Sequence, residues 1–313
     1  TELFVYEGSE IYEGKTDAGD NITREVSVGE SIFIDPYGYV NWVEMPTEPF
    51  ISAADLAFRS MEESQRRHAA WVDLSNSIAL DPETLVYFSF DNHSPWSRIL
   101  RNESKSSTNI QNGAIVGCNW TEGRWSGKGA LSFKRKNDRV RLQLPNHLKS
   151  ATFSAWLKID SLDQSISPII CSDSLTLGST CWSINKAGQI VLRTRNEKGN
   201  VYYESAVAFR PETLGRWSHV VTTYNAESKM ISHYMNGRSF SREKLIDPVL
   251  LNFPKAMLGH SSPLADKKNG IAFNGSIDEF GIVEAVHDEE QIRRMYEIGR
   301  PYEITNVLGS SLP

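Results

Sequence analysis

The chain has 313 residues, 40% of them hydrophobic and 23% charged, with a net charge of -6. That is the composition of a folded globular chain. It holds no apolar run of about 18 residues that would span a membrane, and no basic stripe of the kind that binds nucleic acid. The charge is uneven: residues 1–50 hold 11 acidic and 2 basic residues, a net of -9, and the rest holds 28 acidic and 31 basic, a net of +3. A shift that abrupt predicts a domain boundary near residue 50.

Residues 3–45 read as short β segments, LFVYEG, SEIYEG, REVSVGESIFID and GYVNWVEM, punctuated by Gly8, Gly14, Gly29 and Gly38 at turn positions. A β unit this small needs partner strands to cover its edges. The chain opens directly into a strand and shows no signal peptide, so it reads as a piece of a longer precursor. VYEGSEIY at 5–12 and VSVGESIFI at 26–34 resemble the closing strands of the extracytoplasmic domain of FecR-type signal transducers. That resemblance implies a membrane span and a cytoplasmic segment upstream.

Residues 46–51 contain two prolines and read as a linker. Ser52 can then cap a helix. On a 3.6-residue period Leu56, Met61, His68, Trp71, Val72, Ser75 and Ile78 share one side, and Asp55, Arg59, Glu62, Glu63, Arg66 and Asp73 the other. The helix ends before Asp81-Pro82, and its apolar stripe is expected to pack on the flanking β units.

From residue 84 short strand-like runs follow one another about every dozen residues, the pattern of a β sandwich or barrel. DEEQIRRMYEIG then forms one helix, with acids in its first turn and Gly299 and Pro301 behind it. Asn236-Gly237 suits a hairpin turn, because both residues tolerate positive φ. Three cysteines occur, Cys118, Cys171 and Cys181, with no CxxC pair. Cys171 and Cys181 flank a hairpin-like step and are either a disulfide or two buried thiols.

Five ordered blocks resemble the LamG-like, concanavalin A-like jelly-roll family. They are YFSFD from Tyr87, GRWSGKGALSFKRKNDRVRL from Gly123, ATFSAWLK from Ala151, RWSHVVTTYNAESKMISHYMNGR from Arg216, and FNGSIDEFGIVEAVHDEEQIRRMYEIG from Phe273. The resemblance implies a mainly β protein. Its parts would be an incomplete FecR-like β unit over 1–50, a connecting amphipathic helix over 51–80, a jelly-roll β-sandwich over 81–302 and a tail over 303–313. It also implies that Asp91 and Asp278 lie close together, where they either hold a Ca²⁺ ion or serve as ordinary salt-bridging or capping carboxylates.

The residues themselves offer little catalysis. Glycosidases on related folds place paired carboxylates on one strand face, and the nearest stretch, Asp278 to Glu284, lacks that spacing. GxSxG, HExxH and EF-hand patterns are absent. A sugar-binding face would use aromatic rings with polar neighbours. Its candidates are Trp120, Trp125, Trp182, Tyr202 and Tyr203, with Arg193 and Arg195 from the strand VLRTRN. The expectation is a non-enzymatic binding module, periplasmic or on a bacterial cell surface. It would recognise a carbohydrate or a protein and couple to a FecR-like stem. The alternatives are a structural or adhesive surface protein, and a glycoside-active enzyme.

Overall fold

The computed structural model describes residues 2–5, 8–15, 19–37, 39–43, 53–91, 94–106, 112–144, 146–261 and 270–301. The linker expected at 46–51, the cap at Ser52, the turn at Gly38 and the tail at 303–313 lie outside the described residues. The chain divides into two compact units, residues 1–59 and 60–313.

The first unit contains β1 (Glu2–Phe4), β2 (Ser9–Lys15), β3 (Asn21–Ser27), β4 (Ser31–Ile34) and β5 (Val40–Trp42). β1, β4 and β5 form one antiparallel sheet, and β2 and β3 a separate hairpin. Val5, Val26 and Ile32 make a small core with Leu3, Tyr12, Ile34 and Val40 against it.

Helix α1 (Ala53–Leu80) follows, and its residues from Ser60 onward belong to the second unit. The expected stripe is only partly inside. Trp71, Ser75 and Ala79 are buried, whereas Leu56, Met61 and Val72 are exposed. The helix docks through the narrow face that carries Trp71 and Ser75, and that face does not reach round to the other apolar positions.

The strands of the second unit are β6 (Thr84–Phe88), β7 (Ile99–Leu100), β8 (Gly113–Val116), β9 (Asn119–Glu122), β10 (Gly129–Phe133), β11 (Arg139–Leu142), β12 (Asn146–Leu148) and β13 (Ser150–Ile159). They continue as β14 (Ile166–Ser172), β15 (Thr180–Asn185), β16 (Gln189–Asn196), β17 (Gly199–Val207), β18 (Trp217–Asn225), β19 (Met230–Met235) and β20 (Arg238–Lys244). β21 (Leu251–Asn252), β22 (Ala256–Leu258) and β23 (Gly275–Val283) precede helix α2 (Glu289–Gly299). Asp288 caps α2, its carboxylate accepting from Gln291 N–H.

The front sheet runs β20-β19-β18-β13-β23-β10-β9, with β6 also paired to β23, and the back sheet runs β17-β16-β15-β14-β22-β11-β8-β7. Face to face they make a jelly-roll β-sandwich. Alternation sorts the side chains: Val140 and Leu142 point in, and Arg141 between them is exposed. Phe133, Phe153, Trp182, Tyr203, Phe253 and Phe280 fill the space between the sheets. One polar chain crosses that core. Trp182 Nε1 donates to Thr222 Oγ1 at 2.8 Å, and Thr222 Oγ1 lies 3.0 Å from His233 Nδ1. The hairpin at Asn236-Gly237 has φ of 50° and 76°, both in the left-handed region that these two residues adopt at low cost.

Candidate functional site

A strand exposes only every second residue, so the outward positions of the back sheet line up across neighbouring strands. Cys171 of β14 pairs with Cys181 of β15, Cys181 with Arg193 of β16, and Arg193 with Tyr202 of β17. The next outward row sets Ser183 of β15 opposite Val191 of β16, and Val191 opposite Glu204 of β17. These two rows floor a groove of 310 Å³, lined also by Ser165, Asn185 and Asn200. Cys171 and Cys181 are joined by a disulfide. The Tyr202 ring is 57% exposed. Arg195 sits opposite Asn200, its Nη1 3.4 Å from the Asn200 Oδ1, so it flanks the groove.

The structure therefore brings Arg193 and Tyr202 into one groove with Arg195 at its side, and it corrects three other expectations. Trp182 is fully buried between the sheets, Trp125 is 2% exposed, and Tyr203 is 2% exposed with its hydroxyl donating to Ile246 O at 2.7 Å. A ring inside the core has no face to offer a ligand. Trp120 lies elsewhere: its indole donates to Ser97 O at 2.9 Å, and its ring meets Phe90 edge-on at 6.4 Å. Asn185, Ser183 and Glu204 escape the sequence reading, although their alternation with Ile184, Trp182 and Tyr203 marks them as outward.

Asp278 is also corrected. It is fully buried, with Lys128 Nζ at 2.6 Å and Arg124 Nη1 at 3.1 Å from its Oδ1, and Arg124 N–H donating to its Oδ2 at 2.7 Å. Beside it Glu279 accepts from Arg124 and, at 2.9 Å, from Trp71 Nε1. The Arg124 guanidinium lies 4.4 Å from the Trp156 ring centroid, and Lys128 Nζ lies 4.8 Å from that of Trp71. Burial pushes the Glu279 carboxyl up, but Arg124 and Lys128 outweigh it and hold it below its ordinary value. Burial lowers Lys128. Calcium takes six to eight oxygens, carboxylates among them. Here the carboxylate is already held by two cations, and Asp91 is exposed to solvent. Among the described residues no group of three His, Cys, Asp or Glu is placed to hold a metal. The residues do not fit a calcium ion. They form a neutral ionic cluster that ties α1, the β9–β10 turn and β23 together.

Two antiparallel eight-stranded sheets with a polar groove on one outer face define a concanavalin A-like jelly roll. The profile of the concanavalin A-like lectin/glucanases superfamily matches residues 134–293, about half of the chain, and the chain belongs to that superfamily. No curated protein matches the sequence.

Among solved structures, the binding domain of botulinum neurotoxin serotype D is similar at a TM-score of 0.52 and 16% identity, over 70% of this chain and 52% of its own. The binding domain of Paraclostridial Mosquitocidal Protein 1 gives 0.51 and 18%, over 69% and 52%. Domain 4 of AbnA, an extracellular arabinanase of Geobacillus stearothermophilus in complex with arabinotriose, gives 0.50 and 17%, over 68% of this chain and 98% of that one. The chain thus spans about half the length of the toxin binding domains. At these identities the likeness is one of fold.

Proposed function

We propose that this chain is a binding module acting outside the cytoplasm, and that the groove on the back sheet holds a carbohydrate. One observation carries the reading. An exposed Tyr202 ring stands in one groove with Arg193, Glu204, Asn185 and Asn200. Sugar sites combine those elements, an apolar ring for the C–H face and fixed polar groups for the hydroxyls. Relatives in fold support it, one solved with arabinotriose and another, the binding domain of botulinum neurotoxin DC, with SialylT. Glu204 is the one carboxylate among the described residues lining this groove, whereas glycoside hydrolysis uses a pair, which favours binding over cleavage there. The disulfide suits an oxidising compartment. The FecR-like pattern of residues 5–12 and 26–34 supports reading the first unit as part of a signalling stem, with the sandwich as its sensor.

The test is a thermal-shift and calorimetric screen of the whole chain against a glycan panel, with and without Ca²⁺ and EDTA. A ligand that prefers the native state raises Tm saturably. The expected result is such a rise with one glycan class, lost in Tyr202→Ala and unaffected by EDTA. No rise with any glycan would move the reading to a protein partner.

A further inference from the structure

A second cleft opens at the other end of the back sheet. It has a volume of 550 Å³ and lies between the β6–β7 connection, β7 and the Trp120 ring of β9, within the range of about 300–1,000 Å³ typical of small-molecule sites. Phe90 and Leu100, both buried, form its apolar side, with Trp120 beside them. Asp91, Arg101, Glu103 and Asn112 are its polar side.

The polar groups are available for a ligand. Among the described residues neither the Asp91 carboxylate nor the Arg101 guanidinium takes part in an ion pair or hydrogen bond. Asn112 uses its Oδ1 to accept from Asn102 N–H at 2.9 Å, which leaves its amide donors. Glu103 is half-buried, and Ser89 Oγ donates to its Oε1 at 2.6 Å. Burial first, and Asp91 among its neighbours, raise its carboxyl. The backbone is held there at some cost: Phe90 has φ of 59°, a left-handed conformation unusual for an aromatic residue. It turns the chain so that Phe90 enters the core while Asp91 reaches solvent.

We infer that this cleft is a second carbohydrate site, for a neutral sugar unit whose hydroxyls donate to Asp91 and Glu103 and accept from Arg101 and Asn112. Asp91 and Glu103 are acceptors and Arg101 and Asn112 are donors, a mixture suited to vicinal hydroxyls. An anionic sugar would meet two carboxylates against one guanidinium. Six strand steps separate β16 from β7 in the back sheet, so this site lies roughly 25–30 Å from the groove, and the module is bivalent.

The experiment is a titration of the ¹⁵N-labelled whole chain with maltotriose, cellotriose, xylotriose and mannotriose, taken well above a millimolar Kd. The groove and the cleft report separately in each spectrum. One of these sugars is expected to shift the Asp91, Arg101 and Asn112 amides and the Trp120 indole N–H. Those shifts persist in Tyr202→Ala and weaken roughly tenfold or more in Asp91→Ala and in Arg101→Ala. Both substituted residues are exposed, and the dispersion of each spectrum confirms the fold. Cleft resonances that respond to none of the four sugars, or that respond equally in Asp91→Ala and Arg101→Ala, would overturn the inference. Shifts confined to the cleft would instead sink the groove reading and leave this one standing.

Discussion

Trp71 Nε1 donates to Glu279 Oε2 at 2.9 Å across 208 residues of sequence. The bond closes one side of a buried cluster in which Arg124 also reaches Glu279, so the helix before the sandwich is part of the sandwich's own interior. Trp71→Phe keeps most of the packing and removes the donor, at an expected cost of about 1–3 kcal/mol. Trp71→Ala also empties the site and should cost about 3–5 kcal/mol. Urea denaturation of the two variants measures both values, and variants as stable as the unsubstituted chain would show that the hydrogen bond and the ring contribute nothing.

Lys128 and Arg124 together neutralise Asp278 and Glu279. Lys128→Met leaves Asp278 with one cation in a dry site, and breaking a buried pair in this way costs about 3–5 kcal/mol. The double variant Lys128→Met with Asp278→Asn should recover part of the loss. A double-mutant cycle that came out additive would contradict the pairing.

Two buried histidines make stability depend on pH. Burial, then the Arg124 guanidinium, lowers His219 to about 3, and burial lowers His233 to about 4. Both stay neutral in the folded protein, while in the unfolded chain they take protons below the ordinary 6.5. The unfolded state therefore binds more protons as pH falls. Stability is full above about 6.5 and declines toward 4 by up to about 1.4 kcal/mol per pH unit for each histidine. Urea midpoints measured from pH 7 to 4.5 should show this slope, and His233→Gln should flatten it.

The disulfide between Cys171 and Cys181 closes a step of 10 residues. Its chain-entropy contribution is about 2–3 kcal/mol. Cys171→Ser with Cys181→Ser should lower Tm by a matching amount and should loosen the groove floor, so glycan affinity falls as well. Unchanged affinity with lowered Tm would make the bridge purely structural.

Two aromatics of the back sheet, Tyr202 on β17 and Trp182 on β15, should behave oppositely. Tyr202→Ala removes an exposed ring and is expected to leave Tm almost unchanged while abolishing groove binding. Trp182→Ala cuts a fully buried ring out of the core and should cost about 3–5 kcal/mol. Comparison of calorimetric Kd with Tm for each variant separates binding from folding.

The sandwich was legible because its local signals agree. Val140 and Leu142 alternate with arginines, and Asn236-Gly237 takes the two left-handed conformations that its residue types announce. The site was legible only in part. Tyr202 and Tyr203 are neighbours on β17, so one of them must face inward, and only pairing with β16 decides which. The ionic cluster was hidden by distance, since Arg124 and Lys128 meet Asp278 and Glu279 across about 150 residues. One sign was available: a charged Asp-Glu pair inside the apolar strand GSIDEFGIV has to find cations when it is buried. The exposed apolar positions of α1 were misassigned because helical periodicity gives a stripe's direction and not how far a docking surface reaches around it.

The polar chain through the core also has a direction. An indole N–H can only donate, so Thr222 Oγ1 accepts from Trp182, and its second lone pair or its own proton meets His233 Nδ1. Whichever of the two supplies the proton between them, the bond at Nδ1 ties the imidazole's tautomer to the sheet–sheet seam. The ¹⁵N shifts of that one ring report whether the two sheets are seated in register.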